Sequence, residues 1–459
     1  MVSFIRNLPF LLTTSHNERV YVLDNVELWL ILIGKALLSL LMHPLVYLSI
    51  LFLILVFSFR VRMERAMFSV KLLTWIKPFV YALIGGGIAS IAVSLLTVLL
   101  GFTFTASTVW WLWGVSLLLM LLRLRFASIV YSAAIVTLLH LVAITIGPLA
   151  LDDYAGMIYQ SLLDLQPVSI LVVASFMSLA QSLLVRWQGK HFVSPIYMSG
   201  KRGKVIGGFM LQGYWAAPVF LFMPVATDTA GAVSFAAHTV QPLFLTAGPE
   251  AWLLLACPLL LGVTGMTHSV SPDALIKRIS NQWLVYSVLI LIISIASWWV
   301  TPLLWVAAIG LLLSFELVHW INRWHESKQS PLYGPLDKGL RVLAIVEHSP
   351  AVHMGIVAGD TVLKANGMSV NTLDQLYEAM SINPAFCKLE MLNSDGELKF
   401  AQRARYADEH HQLGIIMAPD GQAKYLENYR EPSLFTLFGQ RKLRRQARND
   451  SNTETVNSL

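Results

Sequence analysis

The chain has 459 residues, 56% of them hydrophobic and only 13% charged, with a mean hydropathy of +0.62, which excludes an ordinary soluble globular protein. A formal charge of +6 and a pI near 9.2 do not point to nucleic acid, because Lys and Arg gather in short loops between apolar runs and in the tail. Two cysteines, Cys257 in an apolar run and Cys387 in a polar one, exclude a disulfide framework and are expected to be reduced thiols.

Residues 1–25 form an N-terminal segment whose apolar stretch 4–12 has only Arg6 beside it and no small-residue cleavage site, so a removable signal peptide is not expected. Residues 26–325 are expected to be a polytopic α-helical membrane domain. The first run, 26–42, contains Lys35 and stops at His43-Pro44; it either spans or lies at the interface with Lys35 snorkelling. Runs 79–100, 126–149, 168–185 and 283–300 each approach the roughly 20 residues that a bilayer core requires. Shorter or interrupted runs at 44–59, 109–122, 205–225, 251–266 and 303–318 raise the expected total to about eight to ten helical spans. Gly207, Gly208 and Gly213 in this scheme mark close helix packing.

Positive charge orients the spans. Arg60, Arg62, Arg65, Lys71 and Lys77 fall in one connection, Arg123 and Arg125 in a second, and Arg186, Lys190, Lys201, Arg202 and Lys204 in a third; these belong in the cytoplasm. The alternate connections carry Asp152, Asp153 and Asp164, or Asp228 and Glu250, without Lys or Arg. Continuing the alternation through the Thr301-Pro302 turn leaves the C-terminal part cytoplasmic, whichever way the first run lies.

Ionisable residues within a bilayer are costly and mark function when they occur. His140 is alone in its run and is expected to donate to a neighbouring helix; Glu316 and His319, three residues apart, are expected near the cytoplasmic surface. A zinc-dependent intramembrane protease would need two histidines four residues apart with a glutamate between them. The nearest string is His325-Glu326-Ser327-Lys328-Gln329, in which glutamine replaces the second ligand. No catalytic set, metal site or cofactor is therefore expected, and the chain is not expected to be an enzyme. A relative of PDZ-containing intramembrane proteases and a transporter with a broken helix at 206–224 are the competing interpretations.

After Trp324 the pattern changes from continuous to alternating. Residues 340–346 are a strand, Ser349-Pro350 opens a short helix, Gly355 ends it, Gly359-Asp360 turns into a strand, and Asn366-Gly367 makes a tight reversal. Thr372 with Gln375 is a capping box opening a helix over 373–382, with Leu373, Leu376, Tyr377 and Met380 on its apolar face. Strands 387–392 and 397–402 flank Asp395-Gly396. This series, with its S-P-A-x3-G-x3-G-D-x5-N-G spacing, resembles the core of a bacterial PDZ domain, and implies an α+β PDZ domain over 333–418. PDZ domains add an extended peptide to a sheet edge beside their second helix. The Φ-G-Φ pattern falls late, as in the permuted bacterial form, so Leu413, Gly414, Ile415 and Ile416 are expected to face Leu373, Leu376, Tyr377 and Met380 across the groove. Tyr333-Gly334 is the second candidate for the carboxylate loop, and the bland alternative is that all these residues only complete the core.

Residues 419–459 form a basic tail in which Arg441, Lys442, Arg444, Arg445 and Arg448 follow an apolar group at 434–438. It suits disorder with weak attraction to anionic membrane lipid, or a membrane-surface helix. Many spans, a cytoplasmic PDZ module and no catalytic set together resemble the MinJ-type polytopic division-site proteins of Gram-positive rods. That resemblance implies a scaffold at septa and poles that bridges DivIVA to MinD and recruits other division proteins, with lipid as the surrounding medium.

Overall fold

The computed structural model describes residues 30–31, 33–68, 74–147, 153–200, 204–225, 251–347, 349–393, 396–404 and 413–419. The N-terminal segment 1–25, the acidic connections at 152, 228 and 250, and the basic tail beyond 419 lie outside them. Six helices among the described residues are long and apolar enough to cross a membrane, fewer than the expected eight to ten. They are α2 (Pro44–Phe68), α3 (Ile76–Leu100), α5 (Ile129–Ile146), α7 (Pro167–Gln188), α8 (Pro272–Ala296) and α9 (Leu303–Lys328). Shorter helices are α1 (Ile33–Met42), α4 (Ala106–Leu122) and α6 (Asp153–Leu163). Arg60, Arg62 and Arg65 lie within α2 instead of a connection, with Arg60 buried against Glu64 at 3.3 Å one turn on.

Helix α7 is central. Its buried polar residues Ser175, Ser182 and Gln181 bond across to its neighbours, with the Ser175 hydroxyl 3.4 Å from that of Ser294 on α8 and Ser280 donating to the Ser182 carbonyl at 2.9 Å. Without a water-driven hydrophobic effect between lipid-facing helices, such bonds and close packing hold a bundle together. The outward faces carry exposed Ile91, Leu95, Leu118, Ile292 and Leu313, as a lipid-facing surface requires.

The two remaining predicted spans are not helices. Residues 205–225 and 251–266 form two strands, β2 (Val205–Val225) and β3 (Ala251–Thr267), paired antiparallel along their length with β1 (Val193–Ser199) on the other edge of β2. Both runs are apolar on both faces, which fits a doubly buried strand as well as a helix; their glycines and prolines disfavour the helix. Gly207, Gly208 and Gly213, expected at helix-packing positions, are strand glycines of β2. A Cβ at Gly208 would come within 2.6 Å of the Thr267 carbonyl oxygen, and one at Gly207 within 3.1 Å of the Tyr333 Cβ.

Proline placement follows the ladder. In β2 and β3 even-numbered residues pair with even-numbered ones, and these direct their backbone groups away from the partner strand, since Gly262 N–H donates outward to Gln181 Oε1 at 3.3 Å. Pro218, Pro224 and Pro258 all sit at even numbers, where no ladder bond is lost. The outward groups are capped from the bundle. Ser90 donates to the Pro218 carbonyl, Phe220 N–H donates to Ser94 Oγ at 2.8 Å, Phe104 N–H to the Phe222 carbonyl at 2.9 Å, and Trp113 Nε1 to the Pro258 carbonyl at 2.5 Å. Helix α3 approaches closely enough to do this because Gly86 lies against the sheet, where a Cβ would overlap the Ala216 carbonyl oxygen.

At one end of the bundle, Glu326 on α9 gathers the turn that follows β3. Its carboxylate accepts from the Thr267 hydroxyl at 3.0 Å, His268 N–H at 2.9 Å, the Ser269 hydroxyl at 3.0 Å and Arg278 at 2.7 Å. One buried carboxylate therefore ties together β3, α8 and α9.

The C-terminal region is a mixed helix and sheet unit. Its sheet runs in the order β8-β7-β5-β4-β9, with β6 paired to β5. The strands are β4 (Leu340–Ile345), β5 (Thr361–Ala365), β6 (Met368–Ser369), β7 (Phe386–Leu392), β8 (Leu398–Ala404) and β9 (Ile415–Met417); the helices are α10 (Pro350–His353) and α11 (Leu373–Ile382). The Thr372–Gln375 capping box forms as expected, and Asn366 and Gly367 both take positive φ in the β5–β6 turn.

Two outcomes test this packing. A Cβ at Gly86 would overlap the Ala216 carbonyl oxygen, whereas one at Gly87 meets nothing within 4 Å. Gly86→Ala is therefore expected to lower stability by about 1–3 kcal/mol and Gly87→Ala to be neutral, measured by thermal unfolding of the purified chain in detergent. Glu326→Gln, which leaves Arg278 unpaired and sets an amide among donors, is expected to cost about 2–4 kcal/mol in the same assay.

Candidate peptide groove of the C-terminal module

The sheet of the C-terminal unit ends at β9, a three-residue strand paired with β4 through Val342 with Met417, Ala344 with Ile416 and Ile345 with Ile415. No described strand pairs with its outer edge. An unpaired edge offers N–H and C=O groups to any extended segment laid beside it.

The strand is held in place by the turn before it. Leu413 and Gly414 both adopt positive φ, at 55° and 74°, and a Cβ at Gly414 would collide with the Ser349 side chain. Glycine is required there on both counts. The Leu413 carbonyl accepts from Ala351 N–H at 3.0 Å and the Gly414 carbonyl from Val346 N–H at 2.8 Å, so α10 fixes the turn.

Of the ten residues expected at the groove, six share one apolar cluster. Leu376, Met380 and Leu413 are buried in it, and Leu373, Tyr377 and Ile415 pack on it while remaining partly exposed. Leu373 and Tyr377 are thus the α11 residues with surface to offer. Burial, reinforced by Asp374, raises the Tyr377 phenol above its ordinary value, which keeps it a neutral donor.

Ile416 and Tyr333 lie elsewhere. They belong to a second cluster with Phe209, Leu343 and Ala418, on the face of the module that rests on β2. Tyr333 stacks edge-on against Phe209 with ring centroids 5.2 Å apart, and its carbonyl accepts from Gly207 N–H at 2.8 Å, so it continues the ladder beyond the end of β3. Burial raises the Tyr333 phenol as well, partly offset by Arg341. Gly334 beside it approaches Pro331 and Ile206 rather than α11.

Further contacts complete this docking, which nothing local in the sequence announces. Leu332 N–H donates to the His268 carbonyl at 2.8 Å, Lys77 pairs with Glu347, and the Tyr197 hydroxyl on β1 donates to the Met417 carbonyl at 2.9 Å. The last bond joins the membrane-side sheet directly to β9.

His140 and Glu316 in the helical part have structural partners. His140 Nδ1 lies 2.8 Å from the Leu162 carbonyl on α6, a neighbouring-helix contact as expected. Glu316 does not pair with His319; it accepts from Arg125 at 3.0 and 3.1 Å and from the Tyr131 hydroxyl at 3.0 Å. Among the described residues no group of three His, Cys, Asp or Glu side chains is placed to hold a metal ion.

No family model matches the chain, and no solved structure matches it. Among curated proteins, the probable cell division topological determinant MinJ of Lacticaseibacillus paracasei is 30% identical over 257 residues, covering 55% of this chain and 66% of that protein. The cell division topological determinant MinJ of Bacillus subtilis (strain 168) is 28% identical over 227 residues, covering 50% of this chain and 55% of that protein. The chain thus spans between about half and just under two thirds of the curated relatives it matches, and with six apolar helices ahead of a mixed helix and sheet unit it is a homologue of proteins named MinJ.

Proposed function

We propose that this protein is a non-catalytic membrane scaffold in the spatial control of cell division, with its C-terminal unit acting as a cytoplasmic PDZ-type module. The observation that carries this is the open β9 edge, whose Ile415 packs on the same apolar cluster as the half-exposed Leu373 and Tyr377 of α11, on a multi-span chain similar to division topological determinants. Strand addition at that edge gives affinity through backbone bonds and specificity through the α11 side chains. Confinement to a membrane raises the effective concentration of such a groove for other membrane-bound proteins, so modest affinity suffices. The partners implied by the MinJ resemblance are DivIVA and MinD, bridged at septa and poles.

A non-enzymatic role is supported by the state of the one string that approaches a zinc-protease motif. Glu326, in the position of the general base, has both carboxylate oxygens engaged by Thr267, His268, Ser269 and Arg278, and Gln329 stands where a second histidine ligand is needed.

The full chain fused to a fluorescent protein tests the reading in growing cells. The unaltered fusion is expected at septa and poles, and deletion is expected to misplace division. Leu373→Lys, which adds charge at the groove wall without touching the Gly414 turn, is expected to weaken septal recruitment roughly tenfold at unchanged membrane level. A uniform membrane signal with normal division overturns the division role; full recruitment of the Leu373→Lys fusion overturns the groove.

A further inference from the structure

A cavity of about 280 Å³ lies at the module end of the bundle, between the last residues of β3 and the final turns of α9. Thr264, Met266 and Thr267 form one wall, and His319, Asn322 and Arg323 form the other.

Three features describe what would fill it. The first is the backbone of β3. Strand β3 is an edge of its sheet, and its even-numbered residues direct their N–H and C=O groups outward. Deeper in the bundle those groups meet Trp113 at Pro258 and Gln181 at Gly262. At Thr264 and Met266, next in the same alternation, the cavity lies beside the edge and no described residue caps them. Second, Thr264 Oγ1 and Asn322 Oδ1 are buried without a hydrogen-bond partner among the described residues. Asn322 uses its amide N–H on Gln282 at 2.8 Å, so its free oxygen calls for an N–H or O–H donor. Third, Arg323 is exposed and pairs with no carboxylate among the described residues, while the nearby Glu326 is already neutralised by Arg278 at 2.7 Å. Met198, Met210 and Met266 supply an adaptable apolar surface.

We propose that this edge is a peptide site separate from the β9 groove, taking an extended polypeptide segment of about two to three residues by strand addition at Thr264 and Met266. The segment pairs its backbone with β3, gives an N–H to Asn322, lays an apolar side chain on the methionines and sets an acidic group against Arg323. This site is carried by the hairpin of the membrane part and does not depend on the division role.

Full-length protein in detergent is titrated with Val-Asp-Val-Asp-Val-amide carrying fluorescein on its N-terminal amine and with the same peptide N-methylated at alternate residues, in wild type and in Leu373→Lys. Saturable binding is expected in both proteins, at least about tenfold weaker for the methylated peptide because the added strand loses its donors. Thr264→Pro is expected to weaken binding to the same degree with unchanged thermal unfolding, since proline is already accommodated at the equivalent outward position 258. Arg323→Gln is expected to abolish the preference for aspartate over asparagine in the peptide. Absence of saturable binding, equal binding of the methylated peptide, or full binding by a folded Thr264→Pro chain overturns the proposal. Binding lost in Leu373→Lys but kept in Thr264→Pro assigns the peptide to the β9 groove, and displacement by short-chain phosphatidylglycerol assigns the cavity to lipid; either result also overturns it.

Discussion

Everything in this molecule follows from the need to satisfy the backbone of a hairpin buried in an apolar body. A helix closes its own hydrogen bonds, so it crosses an apolar medium without help; a strand edge does not. The three-stranded sheet has two edges inside the bundle, and the surrounding helices are shaped by the task of covering them. Ser90 and Ser94 reach one edge because Gly86 lets α3 come close. Trp113 and Gln181 reach the other. Polar side chains that look out of place on apolar helices are there as backbone caps.

The same logic explains how much could be learned from the residues alone. Features set within a few positions were legible: the capping box at Thr372 and Gln375, the Asn366-Gly367 reversal, and the glycine at 414 that precedes β9. The four long runs at 79–100, 126–149, 168–185 and 283–300 were legible as helices because roughly twenty apolar residues with no proline in the middle of the run have few other uses. The runs containing β2 and β3 were not, because a strand buried on both faces loses its alternation and presents the same continuous apolarity as a helix. The signal that separates them was present in Pro218, Pro224 and Pro258, all of one parity, but parity acquires meaning only once the pairing partner is known. For the candidate site, the cluster joining Leu373, Leu376, Tyr377 and Met380 to Leu413 and Ile415 was legible from helix periodicity and the Φ-G-Φ pattern. The burial of Ile416 and Tyr333 against β2 was not, because it is created by contact between segments more than a hundred residues apart.

Glu326 illustrates a second limit. As part of a string that begins like a protease motif and fails at its fifth residue, it has no role that the sequence makes legible. The structure gives it a buried position and four partners, so its chemistry is that of an anion neutralised in place. A carboxylate so thoroughly bonded holds a junction.

The docking of the C-terminal unit has a mechanical consequence. Tyr333 adds a rung to the ladder where β3 stops, and Tyr197 reaches from β1 to the end of β9, so the hairpin and the module sheet meet through directional bonds and interlocked rings as well as a covalent linker. A module on a slack tether would tumble and present its edge at every angle. Here the rotational freedom is largely removed, and the open edge keeps a fixed bearing relative to the bundle that carries it. For the strand addition proposed above, a segment approaching on the wrong heading would have nothing to pair with, and selection by approach angle would precede recognition of any side chain.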